Sequence, residues 1–124
     1  MVVDDEPGIT EMLACMLSAE GYEVATAGNG AIALDRLRQG TYDLILSDVT
    51  MPELDGPGLY RALEQQHPHL CDRMIFLTAD FRRPEVQAFL DRTHVHVLGK
   101  PFRLEELRQL VRQRLAALPR GASA

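Results

Sequence analysis

The chain has no tryptophan, two cysteines and a single lysine among its 124 residues. Cys15 falls in an apolar helical pattern and Cys71 in a loop, without the close spacing of a metal site or redox pair, so we expect reduced thiols. No apolar run approaches the roughly 18 residues of a membrane span, and the first residues are typical of a strand rather than a signal peptide. We therefore expect a cytoplasmic protein that makes no membrane contact.

The charge balance is acidic, with a formal net charge of −5. A nucleic-acid binder needs a basic face to contact phosphates, whereas the arginines here are interspersed with acids, so no nucleic-acid partner is expected. The length fits one domain with a sizeable core. We expect this domain to span residues 1–118, and residues 119–124 to be a disordered tail or the start of a linker.

Strand-like apolar runs alternate with helical patterns along the whole chain, which predicts five βα units. The strands are predicted at residues 1–3, 23–26, 42–47, 74–77 and 95–98, the second as an edge strand and the third as a central one. The helices are predicted around residues 9–17, 32–39 and 58–66, from Pro84 onward, and over a last stretch whose leucines, from Leu104 to Leu118, we interpret as core. Right-handed crossovers then give an α/β fold with an open, doubly wound parallel sheet.

Four of the apolar runs end in charged or hydroxyl side chains. These side chains are Asp4 and Asp5 after the first strand, Asp48 after the third, Thr78 after the fourth and Lys100 after the fifth. Because the carboxyl ends of parallel strands meet at one edge of a sheet, we expect all of them in one crevice. Unit charges about 4 Å apart repel by roughly 4 kcal/mol at an intermediate dielectric, so the three carboxylates predict a divalent cation.

Asp48 follows directly on an apolar strand, where an unpaired carboxylate is costly. Its predicted role is that of a nucleophile, because a carboxylate that attacks phosphorus gives an acyl phosphate. Mg²⁺ commonly uses one or two carboxylates, which favours Asp5 and Asp48 as direct ligands and Asp4 through water. The alternative role for Asp5 is that of a helix N-cap ahead of Pro7.

Lys100 is a compact cation that could reach a phosphoryl oxygen as a point charge. Arginine fills the other twelve basic positions, which suggests that a guanidinium does not fit at this one. Thr78 could donate its hydroxyl to another phosphoryl oxygen, although threonine is common in strands. None of these residues indicates a phosphoryl site by itself, and the prediction depends on their combination.

The combination resembles the receiver domain of bacterial two-component response regulators, over essentially the whole chain. The matching stretches are residues 2–7, 42–48 with Met51-Pro52 and Asp55-Gly56, 76–79, and 100–102. The resemblance implies a flavodoxin-like sheet of five strands in the order 2-1-3-4-5, flanked by five helices. A narrower resemblance, carried by residues 68–80 and 89–93, is to receivers at the C-terminal end of hybrid sensor histidine kinases.

The resemblance also implies a function. Asp48 would accept a phosphoryl group from a histidine of a sensor histidine kinase or phosphotransfer domain, in a Mg²⁺-dependent reaction that the domain itself assists. Such a domain is a phosphoacceptor rather than an enzyme, and other domains of the same polypeptide join its expected partners. The implied Mg²⁺ ligands are Asp4, Asp5, Asp48 and the backbone carbonyl of Thr50, and the implied phosphoryl contacts are Lys100, Thr78, Ala79 and Thr50.

The chain departs from the family pattern before Lys100, where Val97 replaces the Tyr or Phe whose inward rotation accompanies phosphorylation. Val95 and His96 stand where transcription-factor receivers often carry acids for dimer salt bridges, so we do not predict that dimer. Thr50 and Asp80 flank the phosphorylation site in the family and influence loss of the phosphoryl group. The four histidines, His67, His69, His94 and His96, form no obvious metal set.

Two other functions stay open. Phosphohydrolases of the haloacid-dehalogenase type also form an aspartyl phosphate on a doubly wound sheet, but they need a second acid two residues after the nucleophile, where this chain has Thr50. A receiver-like module that binds partners without phosphorylation is the other alternative. The intact acids, threonine and lysine count against it, and Val97 leaves it open.

Overall fold

The computed structural model describes residues 1–51, 54–79 and 82–118, and the predicted tail at 119–124 lies outside them. The strands are β1 (Val2–Val3), β2 (Thr26–Ala27), β3 (Ile45–Asp48), β4 (Met74–Thr78) and β5 (His96–Gly99). The helices are α1 (Pro7–Ala19), α2 (Gly30–Gln39), α3 (Gly56–Gln66), α4 (Pro84–Thr93) and α5 (Leu104–Ala117), and a 3₁₀ helix (Pro68–Arg73) lies between α3 and β4. No helix of the described ranges is long and apolar enough to cross a membrane.

The sheet is parallel throughout and has the order β2-β1-β3-β4-β5. This order confirms the expected fold, with β2 at an edge and β3 in the centre. Successive residues of a strand point to opposite faces of the sheet, and β4 therefore contributes side chains to two buried clusters. Met74 and Phe76 pack with α2, α3 and α4, whereas Ile75 and Leu77 pack with α1 and α5.

Strands β2 and β3 begin later than predicted, at Thr26 and Ile45 instead of residues 23 and 42. The reason is where the neighbouring strands lie: β1 is short, and β4 begins at Met74, opposite Ile45. Only Val2 and Val3 pair with β2 on one side and with β3 on the other. Before Thr26 and Ile45, Ala25 and Leu44 contribute only carbonyl oxygens, which accept from Val2 N–H and from the Met1 amino group, and they form no residue pair with β1.

Helices α1, α2 and α3 each begin two residues earlier than predicted, and polar side chains cap the last two. Asn29 Oδ1 accepts the N–H of Ile32 at 2.9 Å before α2, and Asp55 Oδ1 accepts the N–H of Gly58 at 2.8 Å before α3. Each bond satisfies a backbone donor that the first turn of a helix leaves without an intrahelical partner. Since α3 is the next helix after β3 in the chain, the cap at Asp55 helps to fix where this helix approaches the sheet edge.

Two smaller expectations need correction. Leu107 and Leu115 of α5 are buried as expected, but Leu104 is 38% exposed, so its assignment to the core is wrong. It is the first residue of α5, and the first buried residue of this helix is Leu107, about one turn later. Cys71 lies in the 3₁₀ helix rather than in a loop, and both it and Cys15 are free thiols.

The first residue of α3 lies against the backbone at the end of β3. A Cβ built on Gly56 would come within 2.7 Å of the Asp48 carbonyl oxygen and 3.0 Å of the Val49 Cα. Backbone atoms cannot yield as a flexible side chain does, so only glycine fits here. The α1 glycine Gly8, by contrast, has no heavy atom within 4 Å of such a Cβ.

We expect Gly56→Ala to lower the free energy of unfolding by about 1–3 kcal/mol, the usual cost of overpacking a tight site. Gly8→Ala is the matched control and should be neutral or stabilising by up to about 1 kcal/mol, because alanine favours the helix. Urea denaturation followed by far-UV circular dichroism measures both variants. Equal stability of Gly56→Ala and the wild type would contradict the close approach of α3.

Candidate metal centre

Asp4, Asp5 and Asp48 converge at the carboxyl edge of the sheet. One carboxylate oxygen of each lies within 4.8 Å of those of the other two. Asp4 is buried, Asp48 is partly buried and Asp5 is exposed, so the cluster opens to solvent on one side. In the described ranges this is the one group of three or more acidic, histidine or cysteine side chains that could hold a metal ion.

Asp4 is fixed by the strand that carries it. Its backbone N–H donates to the Ala27 carbonyl at 3.1 Å, which extends the pairing of β1 with β2 by one residue. Its side chain is only 2% exposed. Oδ1 accepts the N–H of Glu6 at 3.0 Å, and Oδ2 accepts from the Lys100 ammonium at 3.4 Å. A buried carboxylate needs such partners, and here a backbone amide and a cation supply them.

Asp5 does not cap α1. The N-cap residue of this helix is Glu6, and no side chain makes a capping bond there. The alternative role as an N-cap is therefore wrong for Asp5. Its carboxylate is instead the solvent-facing member of the aspartate cluster.

Asp48 ends β3 and turns its carboxylate toward Lys100. Oδ1 accepts the N–H of Val49 at 2.9 Å and lies 3.6 Å from the Lys100 Nζ. Burial raises the pKa of the Asp48 carboxyl above its ordinary value, the Lys100 ammonium opposes that rise, and the carboxylates of Asp4 and Asp5 add to it. Ionised Asp48 therefore costs the folded state free energy that the unfolded chain does not bear.

Lys100 reaches the cluster because the backbone holds it beside Thr78. Its N–H donates to the Thr78 carbonyl at 2.7 Å, one step past the pairing of Thr78 with Gly99. Its ammonium lies 3.4 Å from Asp4 Oδ2 and 3.6 Å from Asp48 Oδ1. Three carboxylates thus cluster beside one ammonium that contacts two of them, and the remaining negative charge suits a divalent cation with oxygen ligands.

The other predicted site residues lie at the same edge. Thr78 ends β4 and is 2% exposed, and Ala79 follows it on the surface. Thr50 is exposed two residues beyond Asp48. Val97, at the position where the family pattern has an aromatic ring, is 37% exposed on β5. Asp80 lies outside the described residues.

Sequence reasoning missed two main-chain donors of the site. The N–H groups of Glu6 and Val49 hold the carboxylates of Asp4 and Asp48, and any residue type except proline could supply them. The missed side chain is Ser47, a buried hydroxyl that donates to the Asp48 carbonyl at 2.9 Å. The signal that could have found it is a polar residue in an otherwise apolar buried strand.

The model of the family described as "Response regulator receiver domain" matches residues 1–112. Over 111 residues the chain is 34% identical to the transcriptional regulatory protein GlrR of Escherichia coli K12, covering 90% of this chain and 24% of that protein. Over 109 residues it is 36% identical to the sensor histidine kinase RcsC of Salmonella typhi, covering 88% of this chain and 11% of that protein. The chain thus spans about a quarter or less of the length of these relatives.

Solved structures agree with the sequence relatives. The signal receiver domain of a signal transduction histidine kinase from Syntrophus aciditrophicus has a TM-score of 0.85 at 31% identity, with 96% of this chain and 90% of that chain covered. The response regulator protein TrrA from Thermotoga maritima, solved in complex with Mg²⁺-BeF, has a TM-score of 0.76 at 34% identity, with 91% and 95% covered. The similar proteins therefore include both response regulators and sensor histidine kinases.

The raised pKa of Asp48 predicts that Asp48→Asn stabilises the Mg²⁺-free protein. Above the folded-state pKa the ionised carboxyl destabilises the fold, and below the unfolded value of about 3.9 both states are protonated and the cost vanishes. We expect a gain of about 0.5–2 kcal/mol at pH 7, within the range of other stabilising substitutions. The gain in stability should shrink as the pH falls from the folded-state pKa of Asp48 to its unfolded value.

Urea denaturation in the presence of a chelator, at pH 7 and at successively lower pH, tests this expectation. Asp91→Asn on the exposed face of α4 is the matched control and should change stability by less than about 0.5 kcal/mol. A gain for Asp48→Asn that persisted undiminished below pH 4 would show that ionisation of Asp48 is not its source.

Proposed function

Because the chain belongs to the family of response regulator receiver domains, we propose that it takes a phosphoryl group from a phosphohistidine onto Asp48 and so switches its contacts with partners in a two-component phosphorelay. The observation that carries the proposal is the convergence of Asp4, Asp5, Asp48 and Lys100 at one edge of the sheet. A nucleophile, an acidic metal site and a cation for the transferred group are then within reach of one another.

In the proposed reaction a carboxylate oxygen of Asp48 bonds to phosphorus while the bond from phosphorus to the donor imidazole nitrogen breaks. Lys100, which holds Asp4 and Asp48 before the reaction, contacts a phosphoryl oxygen and offsets its charge. The Thr78 hydroxyl donates to a second oxygen, and backbone groups of Thr50 and Ala79 complete the cradle. The domain thereby assists its own phosphorylation, as a phosphoacceptor rather than a classical enzyme.

The acidic cluster fits a Mg²⁺ ion by the chemistry of its donors. Asp5 and Asp48 would be direct ligands with the Thr50 carbonyl, and Asp4 would bind through water. When bound, the ion supplies charge neutralisation for the carboxylates and for the phosphoryl oxygens. The relative TrrA was solved in complex with Mg²⁺-BeF, which supports Mg²⁺ as the ion.

The proposed partners follow from the same family. A sensor histidine kinase or a phosphotransfer domain would supply the phosphoryl group, and other domains of a longer polypeptide would receive the signal, in the cytoplasm and without DNA contact by this domain. The domain would span residues 1–118. A phosphohydrolase is not proposed, since Thr50 occupies the position that needs a second acid.

Incubation with phosphoramidate and Mg²⁺ should add one phosphoryl group, detected by intact-mass spectrometry. The adduct should be absent without Mg²⁺ and in Asp48→Asn, because the nucleophile and the charge neutralisation are then missing. Retained incorporation in Asp48→Asn would refute the assignment of Asp48. A folded wild-type protein that takes no phosphoryl group and binds no Mg²⁺ would favour an unphosphorylated interaction module, for which the exposed Val97 is the specific observation.

Mg²⁺ should stabilise the folded protein by about 2.7 kcal/mol at one hundred times its dissociation constant, since it binds the folded cluster and not the unfolded chain. Asp5→Asn should lose most of this increment and still fold, because Asp5 is exposed. Asp35→Asn, on the exposed face of α2, is the matched control. Urea denaturation with and without Mg²⁺ measures all three, and an increment kept in full by Asp5→Asn would exclude Asp5 as a ligand.

A further inference from the structure

Ser47 is a buried hydroxyl for which the proposed reaction has no direct use. It is 0% exposed and lies in β3 between Val3 of β1 and Phe76 of β4. A hydroxyl in such a place costs free energy unless it is hydrogen-bonded. It donates to the carbonyl oxygen of Asp48 at 2.9 Å, so its bond ends on the backbone of the proposed nucleophile.

The peptide unit between Asp48 and Val49 connects this hydroxyl to the carboxylate. The unit is planar, and its carbonyl oxygen and N–H point to opposite sides. The oxygen accepts from Ser47, whereas the N–H of Val49 donates to Asp48 Oδ1 at 2.9 Å. A rotation of the plane that broke the first bond would also redirect the second. Ser47 therefore acts on Oδ1, the oxygen that lies 3.6 Å from the Lys100 ammonium.

Helix α3 confines the same peptide unit from another side. The absence of a Cβ at Gly56 lets α3 approach the Asp48 carbonyl oxygen, and the N–H of Gly56 donates at 2.9 Å to the Val49 carbonyl, which belongs to the next peptide unit. The approach leaves little room for that oxygen to swing toward the helix. Two contacts thus hold the plane, the close approach of α3 on one side and the Ser47 hydroxyl that donates to its oxygen.

We propose that Ser47 is a positioning residue for Asp48, which orients the carboxylate by holding the Asp48–Val49 peptide plane. Its effect on phosphoryl transfer rests on the proposed function, whereas its effect on the carboxylate does not. Groups that orient a metal ligand from behind typically change metal affinity or activity by about 10–100-fold when removed.

The test compares Ser47→Ala with Thr93→Val, which removes a hydroxyl that donates to the Phe89 carbonyl at 2.8 Å near the end of α4. For Ser47→Ala we expect a shifted Val49 amide resonance, weaker Mg²⁺ binding, and a phosphoramidate rate at saturating Mg²⁺ that falls about tenfold. Thr93→Val should leave all three at wild-type values. Circular dichroism establishes that both variants are folded.

An unchanged Val49 resonance together with unchanged Mg²⁺ affinity and rate in Ser47→Ala would overturn the proposal, as would an equal loss in Thr93→Val. Failure of the proposed function gives a different result. The wild type would then take no phosphoryl group, while the Val49 resonance and Mg²⁺ affinity of Ser47→Ala would still decide whether Ser47 orients Asp48.

Discussion

The burial of the Asp4 carboxylate is the constraint on which the rest of the site depends. At 2% exposure this charge must be paired, and its partners are the Glu6 amide and an ammonium that lies 96 residues away in the sequence. Lys100 follows β5, whereas Asp4 follows β1, and β3 and β4 lie between these two strands in the sheet. The pair forms only when four strands are in register, so the fold and the charge balance of the site are established together.

The site also contains charges that lower the stability of the folded protein. An edge that gathers three carboxylates around one ammonium would be better paired with fewer acids, and burial adds to the cost at Asp48. Elsewhere the local choices agree with the fold, as in the caps at Asn29 and Asp55 and the alternation of β4 between two clusters. Such a local conflict within a consistent structure is typical of a functional site.

The sequence predicted the sheet and the residues at its edge for a simple physical reason. The spacing of apolar residues and the residue types indicate which side chains are buried. The carboxyl ends of parallel strands lie at one edge of the sheet wherever each strand begins. The strand order came from the family resemblance. The starts of β2 and β3, the exposure of Leu104 and the cap at Glu6 depend on ladder pairing and main-chain geometry, which residue type does not encode. The bonds from Glu6 and Val49 escaped prediction for the same reason.

Val97 is exposed and is not aromatic, but aromatic side chains of the core pack behind the site. A Cβ at Gly56 would touch both the Asp48 carbonyl oxygen and the ring of Phe76, so this ring lies beside the peptide that carries the proposed nucleophile. The rings of Phe76 and Phe89 have centroids 5.5 Å apart, and Phe89 belongs to α4. Close-packed interiors transmit small displacements rather than absorb them. The rings of Phe76 and Phe89 therefore occupy the space between α4 and the region of Gly56 that adjoins the Asp48 backbone, and this packing does not require an aromatic side chain at residue 97.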